Sequence, residues 1–267
     1  MVELALVTLA SLAAGFVNSV AGGGGLIQIP VFFGLFPTAP PATLFGTSKA
    51  SMVWGTAWAA GSYIRHVRLP TRTLIPAILM ALAGGLAGAW LVTQVSADWL
   101  RKLLPVMLTL VLVASLWTKD LGRVHAPDHA SRREPAMAAA IAGGLGMYDG
   151  FFGPGTGSFF IFLFIKLLGY DFLHAVAFAK ILNTATNLSA LVCLGLTGNV
   201  WWHFMPAMAV ANVCGSFLGT QTALRHGTRF IRPMFLAVVA VLILKTARDA
   251  YFPLFHLVRQ AVQPASP

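Results

Sequence analysis

Long runs of apolar residues, separated by short polar stretches, fill most of this 267-residue chain. Six of these runs are long enough to cross a membrane, since about 20 residues at a rise of about 1.5 Å per residue span the hydrocarbon core. They occupy residues 42–64, 73–93, 99–117, 172–196, 201–224 and 233–251. The pattern predicts an all-α polytopic membrane protein.

Two further apolar stretches are each interrupted by glycines. The first covers residues 2–17 and resumes at 26–36, and the second covers residues 136–147 and resumes at 158–168. A continuous helix over the first stretch would be about 50 Å long, too long for one crossing of a core about 30 Å thick. We therefore expect two helical hairpins with glycine-rich tips. The pattern leaves open whether their arms dip part-way into the membrane or cross it fully.

The two halves of the chain repeat each other at one fixed offset, the spacing that separates Gly15 from Gly146. The matched residues are mainly glycines and cations, which chance similarity between two apolar halves would not produce. The matched pairs are Gly15 and Gly146, Gly22 and Gly153, Gly24 and Gly155, Lys49 and Lys180, Gly84 and Gly215, Gly88 and Gly219, and Arg101 and Arg232.

Each repeat combines one hairpin with three crossings, so the second repeat is predicted to be inverted relative to the first. Four regions follow from this division of the chain. They are a first transmembrane repeat (1–117), a polar cytoplasmic linker (118–135), a second transmembrane repeat (136–252) and a C-terminal tail (253–267).

Composition and charge support a membrane protein. The chain is 57% apolar and 10% charged, against about 25% charged residues in a soluble domain. The net charge of +10 comes from lysines and arginines in short loops between apolar runs. This distribution indicates an excess of cations on the cytoplasmic side of a membrane rather than a nucleic-acid-binding patch. The inverted arrangement places eleven lysines and arginines on one membrane face and five on the other. If each broken stretch crossed the membrane only once, the two faces would carry ten and six, so the charge difference favours inversion. The richer face is predicted to be cytoplasmic, in a multi-pass inner-membrane protein.

The glycine breaks are the first candidate binding elements. Non-helical backbone at membrane depth persists only where it is buried in protein or lines a polar cavity. A helix that restarts after such a break directs N–H groups and a positive dipole end at the cavity, which favours an anion. The alternative is that the glycines only permit close packing. The candidate residues at the two breaks are Asn18, Gly22, Gly23, Gly24 and Gly25, and Asp149, Gly153, Gly155 and Thr156.

Lys49 and Lys180 are the second candidate element. Each lies about 10–12 Å from one end of its predicted span, where a cation costs on the order of 3 kcal/mol or more. Asp149 is the only acid expected well inside an apolar region. Two lysines with one acid leave a positive excess that an anionic substrate would balance. The alternatives are that the lysines reach the surface or pair with backbone carbonyls.

Polar residues flank both lysines. Thr47 and Ser48 precede Lys49, while Asn183 and Asn187 share one helix face with Lys180. These side chains are predicted either to bind an oxyanion or to form hydrogen bonds between helices.

Motifs for other classes of protein are absent. The chain has no phosphate-binding loop of an ATPase and no hydrolase signature. His125 and His129 are four residues apart, but Pro127 lies between them, so a metal site is not expected. We predict a protein that is not an enzyme and has no cofactor or metal. Its partners are expected to be a small anion and the lipid bilayer, not nucleic acid, and its oligomeric state is open.

Four segments of the chain carry a recognisable pattern. They read GFVNSVAGGGGLIQIP and LFGTSKASM in the first half, and AFAKILNTATNLSALVCLGLTGNVWW and CGSFLGTQTALRHGTRFIRPMF in the second. These segments resemble the TauE/SafE family of sulfite exporters and anion permeases. The second break departs from the run of four glycines, because Pro154 and Thr156 interrupt it. The resemblance implies a secondary transporter that exports sulfite or an organosulfonate such as sulfoacetate. By alternating access, a repeat or its hairpin would move past the site. An anion channel, or an importer of another small organic anion, is the alternative.

Overall fold

A computed structural model describes residues 1–103, 106, 107, 109 and 133–226. Within these residues the chain is helical and contains no β-strand. The helices are α1 (Val2–Ala21), α2 (Gly25–Leu35), α3 (Pro41–Ile64), α4 (Thr71–Gln94), α5 (Arg133–Phe151), α6 (Thr156–Leu168), α7 (Phe172–Leu196) and α8 (Met205–His226). The predicted span 233–251, the tail, His125 and His129 lie outside the described residues.

The all-α prediction is confirmed, and the helix bounds follow the apolar runs closely. Three described helical stretches are long and apolar enough to cross a membrane: Val2–Val20, Thr71–Gln94 and Phe172–Leu196. Helix α8 begins four residues later than predicted because residues 202–204 form a turn. Helix α5 begins at Arg133, inside the predicted linker.

The two glycine breaks lie where the sequence predicts them. Helix α1 ends at Gly22, whose φ of 81° is the left-handed conformation that glycine adopts without strain. Helix α6 follows Gly155, which has a φ of 83°. Helices α2 and α6 have 11 and 13 residues and are therefore about 16 and 20 Å long. These second arms are too short to cross a core about 30 Å thick.

The first helix of each half packs against the fourth helix of the other half. A Cβ added to Gly84 of α4 would lie 2.3 Å from the carbonyl oxygen of Gly143 in α5. The repeat-equivalent positions are Gly215 of α8 and Leu12 of α1, where the corresponding distance is 2.0 Å. Glycines at these positions let the helix backbones touch.

These paired helices run in the same direction. Along α4 and α5, Gly84 meets Gly143 and Gly88 meets Met147. Along α8 and α1, Gly215 meets Leu12 and Gly219 meets Phe16. In both pairs the contacts advance together, so α4 is parallel to α5 and α8 is parallel to α1.

The buried apolar side chains form two clusters. Helix α3 begins in the first cluster with Phe45 and ends in the second with Tyr63. Helices α4 and α7 run the opposite way, since each has its N-terminal part in the second cluster and its C-terminal part in the first. Counterpart helices α3 and α7 therefore point in opposite directions.

Candidate functional site

The tips of the two broken hairpins touch each other. A Cβ on Gly22 would lie 2.3 Å from the carbonyl carbon of Gly157, closer than real contacts allow. A Cβ on Gly25 would lie 3.2 Å from the Cα of Pro154. The breaks, which are far apart in sequence, are thus brought to one place by backbone contact that only glycine permits.

A small cavity lies beside these tips and gathers most of the predicted site. Of the fifteen predicted residues, nine lie on its wall: Asn18, Gly22, Gly25, Ser48, Lys49, Asp149, Gly153, Asn183 and Asn187. Six do not: Gly23, Gly24, Thr47, Gly155, Thr156 and Lys180. Three apolar side chains that sequence reasoning did not single out complete part of the wall, namely Ile29, Met52 and Phe152.

The cavity is small in this conformation. It offers ≈ 20 Å³ to the centre of a water-sized molecule, against about 10–15 Å³ required for one water. An anion of several heavy atoms therefore needs the tips to move apart before it enters.

Lys49 and Asp149 form a buried ion pair on the cavity wall. The Lys49 ammonium donates to Asp149 Oδ1 at 2.7 Å, and the two residues are only 5% and 3% exposed. The hydroxyl of Thr186 donates to the other carboxylate oxygen. With both oxygens bonded, the carboxylate is well compensated for its loss of water. Thr186 was missed from sequence, although it lies one turn after Asn183 on the polar face of α7.

Lys180 has a different partner and lies behind the wall. It is fully buried, and its ammonium donates to the main-chain carbonyl of Asn18 in the last turn of α1. This corresponds to the backbone-carbonyl alternative that the sequence left open. Asn18 and Asp149 are themselves separated by the repeat offset, so the two lysine contacts occupy equivalent places in the two halves. Lys49 bonds the side-chain carboxylate of Asp149, whereas Lys180 bonds the main-chain carbonyl of Asn18.

Three asparagine amides on the wall carry atoms without hydrogen-bond partners in the described part of the chain. They are Asn18 Nδ2, Asn183 Oδ1 and Asn187 Oδ1, and each residue is at most 4% exposed. A buried unpaired polar atom costs about 1–3 kcal/mol, so such atoms call for an explanation. A ligand in the cavity would supply partners, because an amide presents either its carbonyl or its N–H₂.

The main-chain N–H groups at the start of α2 are partly used within the break. The N–H groups of Leu26 and Ile27 donate to the carbonyls of Gly23 and Gly24, at 3.0 and 3.1 Å. Side-chain amides, more than these helix N–H groups, therefore offer unpaired polar atoms to the cavity.

Other polar residues near the site connect helices. The Thr47 hydroxyl donates to the carbonyl of Thr43 at 2.7 Å and accepts from the N–H of Trp201 at 2.9 Å, which ties α3 to the turn before α8. Ser48 donates to Gln28 Oε1 at 3.3 Å. Gln28 is 1% exposed and was missed from sequence, because a single glutamine in an apolar run carries no pattern.

A second buried acid corrects the expectation that Asp149 is the only one. Glu134, in the first turn of α5, is 5% exposed. It accepts hydrogen bonds from the hydroxyls of Thr73, at 3.0 Å, and Tyr170. Burial and the Glu134 carboxylate raise the pKa of Tyr170, which lies between α6 and α7. Sequence reasoning assigned Glu134 to the polar linker, where solvent exposure was expected.

The helices and the cavity define a class of protein. Three apolar helical stretches long enough to cross a membrane accompany two shorter apolar helices, and the broken helices meet at a polar cavity lined by the buried Lys49. Irregular backbone around a polar cavity at membrane depth is typical of transporters.

The chain belongs to the TauE/SafE family: residues 7–246 match the family described as "Sulfite exporter TauE/SafE". It is therefore a membrane transporter of this family, as predicted.

Curated relatives cover nearly the whole chain. It is 34% identical over 252 residues to "Probable membrane transporter protein ORF9" of Sinorhizobium sp, covering 94% of this chain and 95% of the relative. It is 35% identical over 242 residues to "Probable membrane transporter protein YfcA" of Escherichia coli (strain K12), covering 90% and 88%. A "Probable membrane transporter protein" of Haemophilus influenzae is 30% identical over 249 residues, covering 93% and 94%. No solved structure is significantly similar to this chain.

Proposed function

We propose that this protein is a secondary transporter that binds one small anion in the cavity between the hairpin tips and moves it by alternating access. The observation that carries the proposal is the set of three buried, unpaired asparagine amides around a cavity that contains Lys49. The Lys49 ammonium and the unpaired Asn18 Nδ2 are donors of the kind that an oxyanion needs, and rotation of the Asn183 and Asn187 amides would present N–H₂ donors in place of their unpaired carbonyl oxygens. Among the described residues at this site, the two lysines exceed the single carboxylate.

The small cavity supports alternating access rather than a continuous pore. The contacts of Gly22 with Gly157 and of Gly25 with Pro154 hold the two tips together. Separation of the tips toward one side at a time would expose the site alternately.

We further propose that the halves are inverted repeats across the inner membrane, with residues 118–135 as a cytoplasmic linker. The opposed directions of α3 and α7 and the reciprocal pairing of α1 with α8 and α4 with α5 support this arrangement. Under it, the loop at residues 65–70 and the end of α8 lie on the same, cytoplasmic face.

Cysteine labelling tests the inverted topology. The two native cysteines, Cys193 and Cys214, are first replaced by alanine. Single cysteines at Arg68 and at Arg225 should then both resist a membrane-impermeant maleimide in intact cells and react after permeabilisation. A cysteine at Asn199, in the loop before α8, is the control for the opposite face and should react in intact cells. Labelling of Arg68→Cys or Arg225→Cys from outside would disprove the inversion.

The substrate is proposed to be a sulfur-containing anion such as sulfite or an organosulfonate, because the family description names sulfite export. Export of an anion from a cell with a negative interior is downhill by about 2.3 kcal/mol per charge per 100 mV. At comparable concentrations on the two sides, this electrical term allows export without coupling to another ion.

Purified protein in liposomes tests the function. Vesicles loaded with radiolabelled sulfite should release it in a saturable manner and faster in exchange for external sulfite. Sulfate, sulfoacetate, taurine, thiosulfate and acetate serve as competitors. Unsaturable flux with measurable conductance would identify a channel instead, and no flux of any of these anions would refute the proposal.

A further inference from the structure

The repeat gives the two buried lysines equivalent surroundings that differ by one charge. Lys49 contacts Asp149 near the end of α5, and Lys180 contacts Asn18 near the end of α1. The same offset that relates Lys180 to Lys49 relates Asp149 to Asn18. Asn18 thus stands where the other half of the protein has a carboxylate.

The charged groups at the site can be counted from these contacts. Lys49 and Asp149 lie on the cavity wall and balance each other. Lys180 lies directly behind Asn18, with a neutral carbonyl as its partner. The described residues at the cavity therefore provide one positive charge in excess.

We propose that Asn18 determines the charge of the transported anion, so that the site accepts a monoanion in preference to a dianion. This inference rests on the proposed function. The anion's single charge balances Lys180, whose ammonium bonds the Asn18 carbonyl. The anion's oxygens accept from Asn18 Nδ2, and from the N–H₂ groups of Asn183 and Asn187 once those amides rotate to replace their unpaired carbonyl oxygens. A second negative charge would lie beside Asp149 without a cation of its own, and like charges in a desolvated site repel strongly.

The rest of the wall suits a substituted anion. Ile29, Met52 and Phe152 line the cavity beside the polar groups, so one part of the ligand contacts apolar side chains and the other contacts amides. A sulfonate with a short alkyl group has this chemistry. Sulfoacetate carries a carboxylate in addition to its sulfonate, so it is a dianion near neutral pH and is expected to bind less tightly.

The test compares two probes on four forms of the full-length protein. Methanesulfonate is the monoanion and sulfoacetate the dianion, and binding is measured by calorimetry at fixed ionic strength. The forms are the wild type, Asn18→Asp, Asp149→Asn and the double exchange of both residues. Asn18→Ser is the matched control, because it alters the same position without changing the charge.

The wild type should bind methanesulfonate about tenfold more tightly than sulfoacetate, as like-charge repulsion predicts. Asn18→Asp should lower the affinity for methanesulfonate by about tenfold or more, because the new carboxylate balances the charge of Lys180. The double exchange keeps one carboxylate at the site but moves it from the Lys49 side to the Lys180 side. The net charge is that of the wild type, so the preference for the monoanion should return. Asn18→Ser should keep that preference even if both affinities fall.

Asp149→Asn should shift the preference toward sulfoacetate, because two lysines then face the site with no carboxylate. If this variant does not fold, the double exchange decides, since it retains one lysine–carboxylate pair. Equal affinity of Asn18→Asp and the wild type for methanesulfonate would overturn the inference while leaving anion transport intact. Failure of the wild type to bind either probe or sulfite would instead refute the proposed function itself, and this inference with it.

Discussion

Lys49 and Lys180 occupy repeat-equivalent positions at the two sides of the candidate site, yet their charges are compensated by different partners. At one end, Lys49 has a full counter-charge in Asp149, whose second oxygen is bonded by Thr186. At the other end, the partner that the described residues provide for Lys180 is the neutral carbonyl of Asn18. The comparison shows that the repeat places two lysines in equivalent positions, and that one difference, Asn18 in place of Asp149, gives them surroundings of different charge. Under the proposed function, the first pair is expected to stabilise the fold and the second to leave a charge for a ligand.

The largest expected effect follows from breaking the ion pair. Lys49→Met leaves the buried Asp149 carboxylate without its cation, which should destabilise the protein by about 3–5 kcal/mol. Thermal unfolding in detergent measures the loss. Adding Asp149→Leu to Lys49→Met should restore most of the stability, because the orphaned charge is then gone. A stable Lys49→Met variant would contradict the structural role of this pair.

Equivalent glycines at the two tips should respond unequally. Gly22 and Gly153 both have positive φ, 81° and 93°. A Cβ at Gly22 would lie 2.3 Å from the Gly157 backbone, whereas one at Gly153 would lie 2.8 Å from the flexible end of Lys49. Gly22→Ala should therefore cost about 1–3 kcal/mol and reduce transport more than Gly153→Ala.

Gly144→Ala is the control for both tip variants, because a Cβ there has nothing within 4 Å. Its unfolding temperature and flux should match the wild type. If Gly22→Ala matched it too, the tips would not be in the tight contact described above.

Lys180→Met separates binding from stability. The substitution removes a buried cation whose loss orphans no carboxylate, so stability should change by about 1 kcal/mol or less. Anion affinity should fall by about tenfold or more, because a charge-assisted attraction is lost. Calorimetric titration and thermal unfolding of the same preparation provide both values. Unchanged affinity in a folded variant would remove Lys180 from the binding site.

The smallest expected effect comes from making the two halves more alike. Ser48 precedes Lys49, whereas Ala179 precedes Lys180. Ser48→Ala removes a long hydrogen bond to Gln28, which retains its bond to Ser51 at 2.8 Å. The expected cost is about 0.5–1.5 kcal/mol, with anion affinity within about threefold of the wild type, as expected for loss of one weak neutral contact. A loss of binding as large as that of Lys180→Met would show that Ser48 contacts the ligand directly.

Sequence reasoning predicted the helices and the breaks because both depend on local pattern. Apolar runs set the bounds of α3, α4 and α7, and clustered glycines at Gly22 and Gly153 marked the ends of α1 and α5. The inequality of Lys49 and Lys180 was not predictable in this way. It depends on which side chain a neighbouring helix presents, as Thr186 and Asn18 do here. Glu134 was misplaced because the charges of the linker continue into the first turn of α5.

The reciprocal helix pairing bears on how the protein assembles. Helix α4 packs against α5, and α1 packs against α8, so the first and fourth helices of each half pack against the other half. During synthesis, the glycine faces of α1 and α4 must remain in contact with lipid until the second half has been inserted. Neither half then forms a complete unit alone, and two separately expressed halves should fold only when they are made together.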